Sequence, residues 1–156
     1  MTVGLTQVLP MDYIIASAGA KLSMRFVKMG LVPELASSHF LGTRMGFGNA
    51  SELMLSGRTI VADEARELGL VDKVVEPEKL LETAVSLAKG MGDNPLASVR
   101  LIKELITANS SEGDLKAVQQ REMQALQQCY ASAEHNEAIS AFLEKREPDF
   151  KTARKG

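Results

Sequence analysis

Ala62-Asp63-Glu64-Ala65-Arg66-Glu67-Leu68-Gly69-Leu70-Val71-Asp72-Lys73-Val74-Val75 is the stretch on which the fold turns. Asp63 to Leu68 read as a short helix that Gly69 is placed to end. Leu70 to Val75 then read as a strand. Toward the C-terminus, Pro77 suits the first position of another helix, with Leu81, Ala84, Val85, Ala88 and Met91 on one face. Asn94-Pro95 breaks the chain and starts a helix to about Ala108 that carries Val99, Ile102, Leu105 and Ile106. After a polar loop, Asp114 is placed to cap a helix lined by Leu115, Val118, Met123, Leu126 and Tyr130. A last helix runs from about Glu134 to Lys145, and Pro148 stops it. Residues 151–156 read as a basic, frayed tail.

Toward the N-terminus, Arg58 to Val61 is a link. Asn49-x-x-Glu52 resembles a capping box and opens a helix that Gly57 ends. Gly46-Phe47-Gly48 reads as a turn, and Pro33 to Met45 as a helix. Leu22 to Val27 and Tyr13 to Ser17 read as short strands. Residues 1–10 fit a tight turn feeding a short helix that Pro10 ends. The pattern is predominantly helical with two or three short strands, too few to close a sheet by themselves. It fits either a helical domain with incidental strands or the helical part of a larger α/β fold.

The chain has 156 residues, enough for a real core, with 45% hydrophobic and 24% charged residues. A net charge of −2 gives no electrostatic preference for nucleic acid or an acidic membrane. The single cysteine, Cys129, excludes an intrachain disulfide and a multi-cysteine metal site, and is compatible with a reducing compartment. No apolar run is long enough to span a bilayer, and no basic n-region precedes an apolar core. The eight methionines read as core filler or as part of an apolar ligand pocket.

The chemistry is placed at Gly30-Leu31-Val32-Pro33-Glu34-Leu35-Ala36-Ser37-Ser38-His39-Phe40-Leu41. Glu34 follows Pro33 at the start of a predicted helix, where free N–H groups and the dipole favour an anion. Phe26, Met29, Leu31, Val32 and Phe40 flank it. The residues alone leave two readings open: a poised base, or an ordinary first-turn glutamate. Ser37, Ser38 and His39 do not make a catalytic set, because no orienting third group is visible. No phosphate-binding loop is present, and neither His39 nor His135 has a metal-ligand pattern, so we expect no metal. Lys145, Arg146, Lys151, Arg154 and Lys155 make a basic end, read as a solvated tail or as a contact for an anionic phosphate.

A collinear series of stretches resembles the enoyl-CoA hydratase/isomerase (crotonase) family. It comprises Leu9 to Ser17, Gly30 to Glu34 with Ser37-Ser38, Ala50 to Arg58, Ala62 to Val75, Asn94-Pro95 and Ala141 to Phe150. The resemblance implies an α/β fold, the C-terminal part of a crotonase-like ββα spiral. Residues 1–92 would belong to the spiral core, 93–150 to a C-terminal helical segment on the oligomerisation and CoA side, and 151–156 to the tail. A full-length member has roughly a hundred further residues ahead, a domain-scale segment, so the resemblance implies an N-terminally truncated member.

In that family the turn at Val3-Gly4 supplies one of two oxyanion-hole N–H groups. The two glutamates of the hydratases align with Thr6 and Phe26, so the pair that positions water is absent. Glu34 matches the single glutamate of a subset resembling Δ3-Δ2-enoyl-CoA isomerases. The resemblance therefore implies a 1,3-proton shift on an acyl-CoA thioester. Glu34 takes a proton from C2 of a 3-enoyl thioester, backbone N–H groups hold the enolate oxygen, and Glu34 returns the proton at C4. Phe26, Met29, Leu31, Ser38 and Phe40 would line the substrate pocket, and Phe142 and Lys145 would lie on the CoA side. No cofactor is implied beyond coenzyme A within the substrate. Other acyl-CoA chemistry such as hydration is the same-fold alternative. A non-catalytic oligomeric or binding fragment is the alternative of another class. We further expect a trimer-based homo-oligomer, no nucleic-acid or membrane partner, and a cytoplasmic or organelle-matrix location.

Overall fold

The computed structural model describes residues 3–154. The chain divides into two compact units, Met1–Ala84 and Val85–Gly156. The division falls inside a helix, upstream of the expected boundary after residue 92.

In the first unit, α1 (Val3–Val8) stops ahead of Pro10, as the missing proline donor requires. β1 (Ile15–Ser17) pairs in parallel with β4 (Lys73–Val75), Ile15 opposite Lys73 and Ser17 opposite Val75. β2 (Lys21–Ser23) pairs antiparallel with β3 (Thr59–Val61), Leu22 opposite Ile60. Four short strands thus stand among the described residues, against the two or three expected. The additional one is β3, read from the sequence as a link. Its single inward residue, Ile60, is fully buried between exposed neighbours. The strand expected over Leu22 to Val27 ends early, because Val27–Met29 wind into a 3-10 turn. There the N–H of Met29 donates to Phe26 O at 2.9 Å.

α2 (Ser37–Ser56) spans what the sequence suggested were two helices. It is broken at Gly46, whose φ of 75° and ψ of 162° are not helical, so the expected interruption is present within one span. Asn49 does not open a capping box. It lies past the break, and its side-chain amide donates to Met45 O at 3.2 Å, while Glu52 pairs with Arg58 at 2.8 Å. The helix ends at Gly57, left-handed at φ 58°. A Cβ there would come within 2.9 Å of Val27 Cγ1, so the end of α2 packs directly on the 3-10 turn.

α3 (Ala62–Glu67) ends as the sequence predicts, with the N–H groups of Leu70 and Val71 both donating to Ala65 O. Gly69 has φ +81°, and a Cβ on it would lie 3.0 Å from the carbonyl oxygen of Arg44. The chain reverses here against the backbone of α2, a fit that only the missing side chain allows. Leu9, Met24, Leu41, Leu53, Ile60 and Leu70 are the centre of the core. Met24 and Met45 fill it, whereas Met11 and Met29 are exposed.

A 3-10 turn, Pro77–Lys79, leads into α4 (Leu80–Gly92), which straddles the two units. None of its residues is buried, and Leu81 on the predicted apolar face is 76% exposed. The second unit continues with α5 (Leu96–Asn109), α6 (Leu115–Tyr130), α7 (Ala133–Glu144) and α8 (Phe150–Ala153). α5 packs on α6, α6 on α7 and α7 on α8. Asp114 caps α6 by accepting the N–H of Lys116 at 2.9 Å, as its position predicts. Ser132 caps α7 by accepting the N–H of His135 at 3.1 Å.

Glu134 is buried and does for α5 what a capping side chain does. It accepts the N–H groups of Leu96 at 2.9 Å and Ala97 at 3.1 Å, and it pairs with Arg154 at 2.7 Å. Burial pushes its pKa up, but the two N–H groups and the guanidinium outweigh burial and hold the carboxyl below its ordinary value. This pairing corrects the expectation of a frayed tail: through residue 154 the end of the chain is docked. Asp149 accepts the N–H of Thr152 at 3.0 Å and caps α8, and Lys151 pairs with Asp93 at 3.2 Å.

Candidate active site

Glu34 does not lie in a first helical turn. Leu35 and Ala36 are both left-handed, at φ 51° and 53°, and a right-handed helix cannot run through them. The helix therefore starts at Ser37, and Pro33 and Glu34 lie ahead of it. The N–H of Ser37 donates to Glu34 O at 2.9 Å, and that of Phe40 donates to Ala36 O at 3.1 Å. These bonds bring Glu34, Ser37, Ser38 and Phe40 into one turn. Upstream, the N–H of Leu31 donates to Phe26 O at 2.9 Å, which draws Phe26, Met29 and Leu31 into another.

The apolar enclosure expected around Glu34 is not formed by its own unit. Glu34 and Ser38 are exposed, Met29 is 74% exposed and Leu31 is 61% exposed. Phe26 is buried in the core, and Phe40 packs against it half-buried. The hydroxyl that goes inward is that of Ser37, which is fully buried and has no hydrogen-bond partner.

Val3 and Gly4 open α1, where N–H groups have no intrahelical acceptor. The side chain of Val3 lies outside the described residues, and Gly4 is exposed with open space around it. Thr6 is buried in α1. The two positions that the family resemblance aligns with hydratase glutamates hold buried, non-acidic side chains, Thr6 and Phe26.

Arg44 and Asp72 escaped the sequence reading. Arg44 Nη1 donates to Asp72 Oδ2 at 3.1 Å, Arg44 Nε donates to Leu9 O at 3.1 Å, and Nη2 donates to Met11 O. Asp72 also accepts the N–H of Ile14 at 2.6 Å. These residues are far apart in sequence, and no local pattern announces them.

Phe142 and Lys145 belong to the second unit. Phe142 is 82% exposed near the end of α7, and Lys145 ends that helix in the left-handed region at φ 55°. Most of the basic end is committed to carboxylates. Arg146 pairs with Glu137 at 2.5 Å and with Glu144 at 2.6 Å, and Arg154 with Glu134. Lys155 lies outside the described residues. Arg146 and the N–H of Asp149 hold the Glu137 carboxyl down to about 2.

His39 stacks edge-on to Phe40 at 5.4 Å, and His135 edge-on to Tyr130 at 5.3 Å. Among the described residues no group of three or more His, Cys, Asp or Glu side chains is arranged to hold a metal ion, and no helix is long and apolar enough to cross a membrane.

Solved crotonase-fold proteins superpose on this chain closely. The enoyl-CoA hydratase of Bacillus anthracis matches with a TM-score of 0.91 and 34% identity, over 96% of this chain and 58% of that one. The profile of the enoyl-CoA hydratase/isomerase family matches residues 1–153, and the chain belongs to that family. The 1,2-epoxyphenylacetyl-CoA isomerase of Escherichia coli is 36% identical over 148 residues, covering 94% of this chain and 56% of the relative. The short-chain-enoyl-CoA hydratase of Clostridium acetobutylicum is 33% identical over 135 residues, covering 86% of this chain and 51% of the relative. The chain spans about half the length of the curated relatives it matches.

Proposed function

We propose that this protein acts on an acyl-CoA thioester and moves a double bond from the 3 to the 2 position, with Glu34 as the single acid/base. The observation that carries the reading is the distribution of carboxylates. The two positions that the family resemblance aligns with hydratase glutamates, Thr6 and Phe26, are non-acidic and buried, while Glu34 is solvent-accessible on a turn fixed by hydrogen bonds at both ends. A single carboxylate serves a 1,3-shift because it acts first as base and then as acid. Glu34 takes the C2 proton, the electron pair moves onto the thioester oxygen, and an N–H at the start of α1 serves as one of the two donors that hold that oxygen. Collapse of the enolate onto C4 takes the proton back from Glu34, and no atom is gained or lost overall.

Hydration is the second reading, favoured by relatives such as the Clostridium acetobutylicum protein, named a hydratase. The two separate by product. Supplied with a 3-enoyl-CoA, the protein is expected to form the conjugated 2-enoyl thioester, seen as rising ultraviolet absorbance. Conversion of a 2-enoyl-CoA to a 3-hydroxyacyl-CoA at a comparable rate would favour hydration instead. The uncovered face of α4, with Leu81 and Val85 exposed, supports self-association, the trimer-based assembly included. Light scattering that finds a monomer would remove that part.

A further inference from the structure

We infer that Arg44 is a positioning residue that locks α1 to α2, and so fixes the N–H groups at the start of α1 relative to the Glu34 turn. The inference rests on the functional reading above. The guanidinium spans three segments remote in sequence. Nε reaches Leu9 O at 3.1 Å and Nη2 reaches Met11 O, both just past the end of α1, while Nη1 reaches Asp72 Oδ2 at 3.1 Å. The Leu9 carbonyl directly follows the last residue of α1, where carbonyls lack intrahelical donors and carry partial negative charge, so a cation there meets an unsatisfied need.

Arg44 itself is held from both sides. Asp72 fixes the guanidinium and is in turn bound twice to Ile14, accepting its N–H at 2.6 Å and donating its own N–H to Ile14 O at 2.9 Å. Gly69 lies close beside the Arg44 carbonyl, near enough that a Cβ on it would come within 3.0 Å of that oxygen. The Arg44 side chain is 14% exposed, unlike a solvated surface ion pair. A planar fork is needed, because one ammonium cannot reach two carbonyls and a carboxylate in these directions. Arg44 sits on α2, the helix that the Glu34 turn opens, and it grips the exit of α1. A shift between the two elements has to break this fork.

The test compares the natural protein with Arg44→Gln, Arg44→Lys and Asp72→Asn, reading isomerisation of a 3-enoyl-CoA and amide exchange along α1. In Arg44→Gln we expect kcat to fall on the order of tenfold to a hundredfold, as misplacement of a catalytic group does, with KM within about twofold. The amides of α1 should exchange faster, and those of α6 should not change. Arg44→Lys should recover part of the rate. Asp72→Asn, which keeps an acceptor for Ile14, guards against simple unfolding and should show a smaller loss of kcat. An unchanged kcat with unchanged exchange in α1 overturns the inference and leaves the functional reading standing. An inactive natural protein whose α1 loosens in Arg44→Gln overturns the functional reading and leaves the lock standing.

Discussion

The backbone N–H of Ser37 donates to the carbonyl oxygen of Glu34 at 2.9 Å, closing a turn across two left-handed residues, Leu35 and Ala36. Neither is glycine. An L-residue in this region costs about 1–2 kcal/mol, and such strain persists where the surroundings over-determine it. The strain falls beside the one carboxylate to which the proposal assigns the chemistry.

Replacing Leu35 by glycine therefore removes strain but adds the entropy cost of glycine, about 0.5–1 kcal/mol. Leu35 is mostly exposed, so little burial is lost. The net expectation is a gain of up to about 1 kcal/mol, read from urea denaturation. A clear loss would mean that the Leu35 side chain holds the turn in place.

Gly69→Ala is expected to act in the opposite direction. At φ +81° with the Arg44 carbonyl 3.0 Å from the new Cβ, the substitution has neither the backbone freedom nor the room. A loss of about 1–3 kcal/mol should appear as a lowered Tm. An unaltered Tm would show that α3 and α2 can separate freely at this point.

In the second unit, Glu134→Gln takes the charge from a buried group that serves Leu96, Ala97 and Arg154 at once. A destabilisation of about 1–3 kcal/mol is expected, since a buried donor loses its acceptor. Chemical denaturation measures it, and a neutral outcome would place these groups in contact with water.

Acid should loosen the same unit near Glu137, whose folded pKa is depressed from 4.5 to about 2 by Arg146 and the N–H of Asp149. A depressed folded value means the contribution is complete above the unfolded pKa and drains as pH falls through the folded one. The stability difference between the natural protein and Glu137→Gln should therefore be constant above about pH 5 and shrink steadily toward pH 2. A difference that stays flat across that range would contradict the pairing with Arg146.

Much of this architecture was legible because local chemistry decides it. Gly57 and Gly69 mark helix ends that only they can make, and Asp114 caps α6 as its position demands. What local pattern cannot carry was missed. Pro33 suggested a helix start, but the left-handed pair Leu35-Ala36, which no propensity foretells, delays it to Ser37. β3 has a single inward residue, too little to show an alternation. Glu134 read as the approximate start of the last helix and is also a buried cap for a different one. Arg44 and Asp72 act across the fold, so their roles surface only once the chain has closed. At the site itself the sequence singles out Glu34 and expects Phe26, Met29, Leu31 and Phe40 to enclose it, whereas Glu34 is exposed and Met29 and Leu31 face outward.

The most direct measurement is the rate at which a 3-enoyl-CoA becomes the conjugated 2-enoyl thioester, with the natural protein set beside Glu34→Gln. Glu34 is exposed, so the substitution should leave the fold intact, and circular dichroism checks that it does. The account predicts turnover by the natural protein and a loss on the order of a hundredfold or more in the variant, the scale of general acid–base catalysis. Equal rates in the two proteins would contradict it.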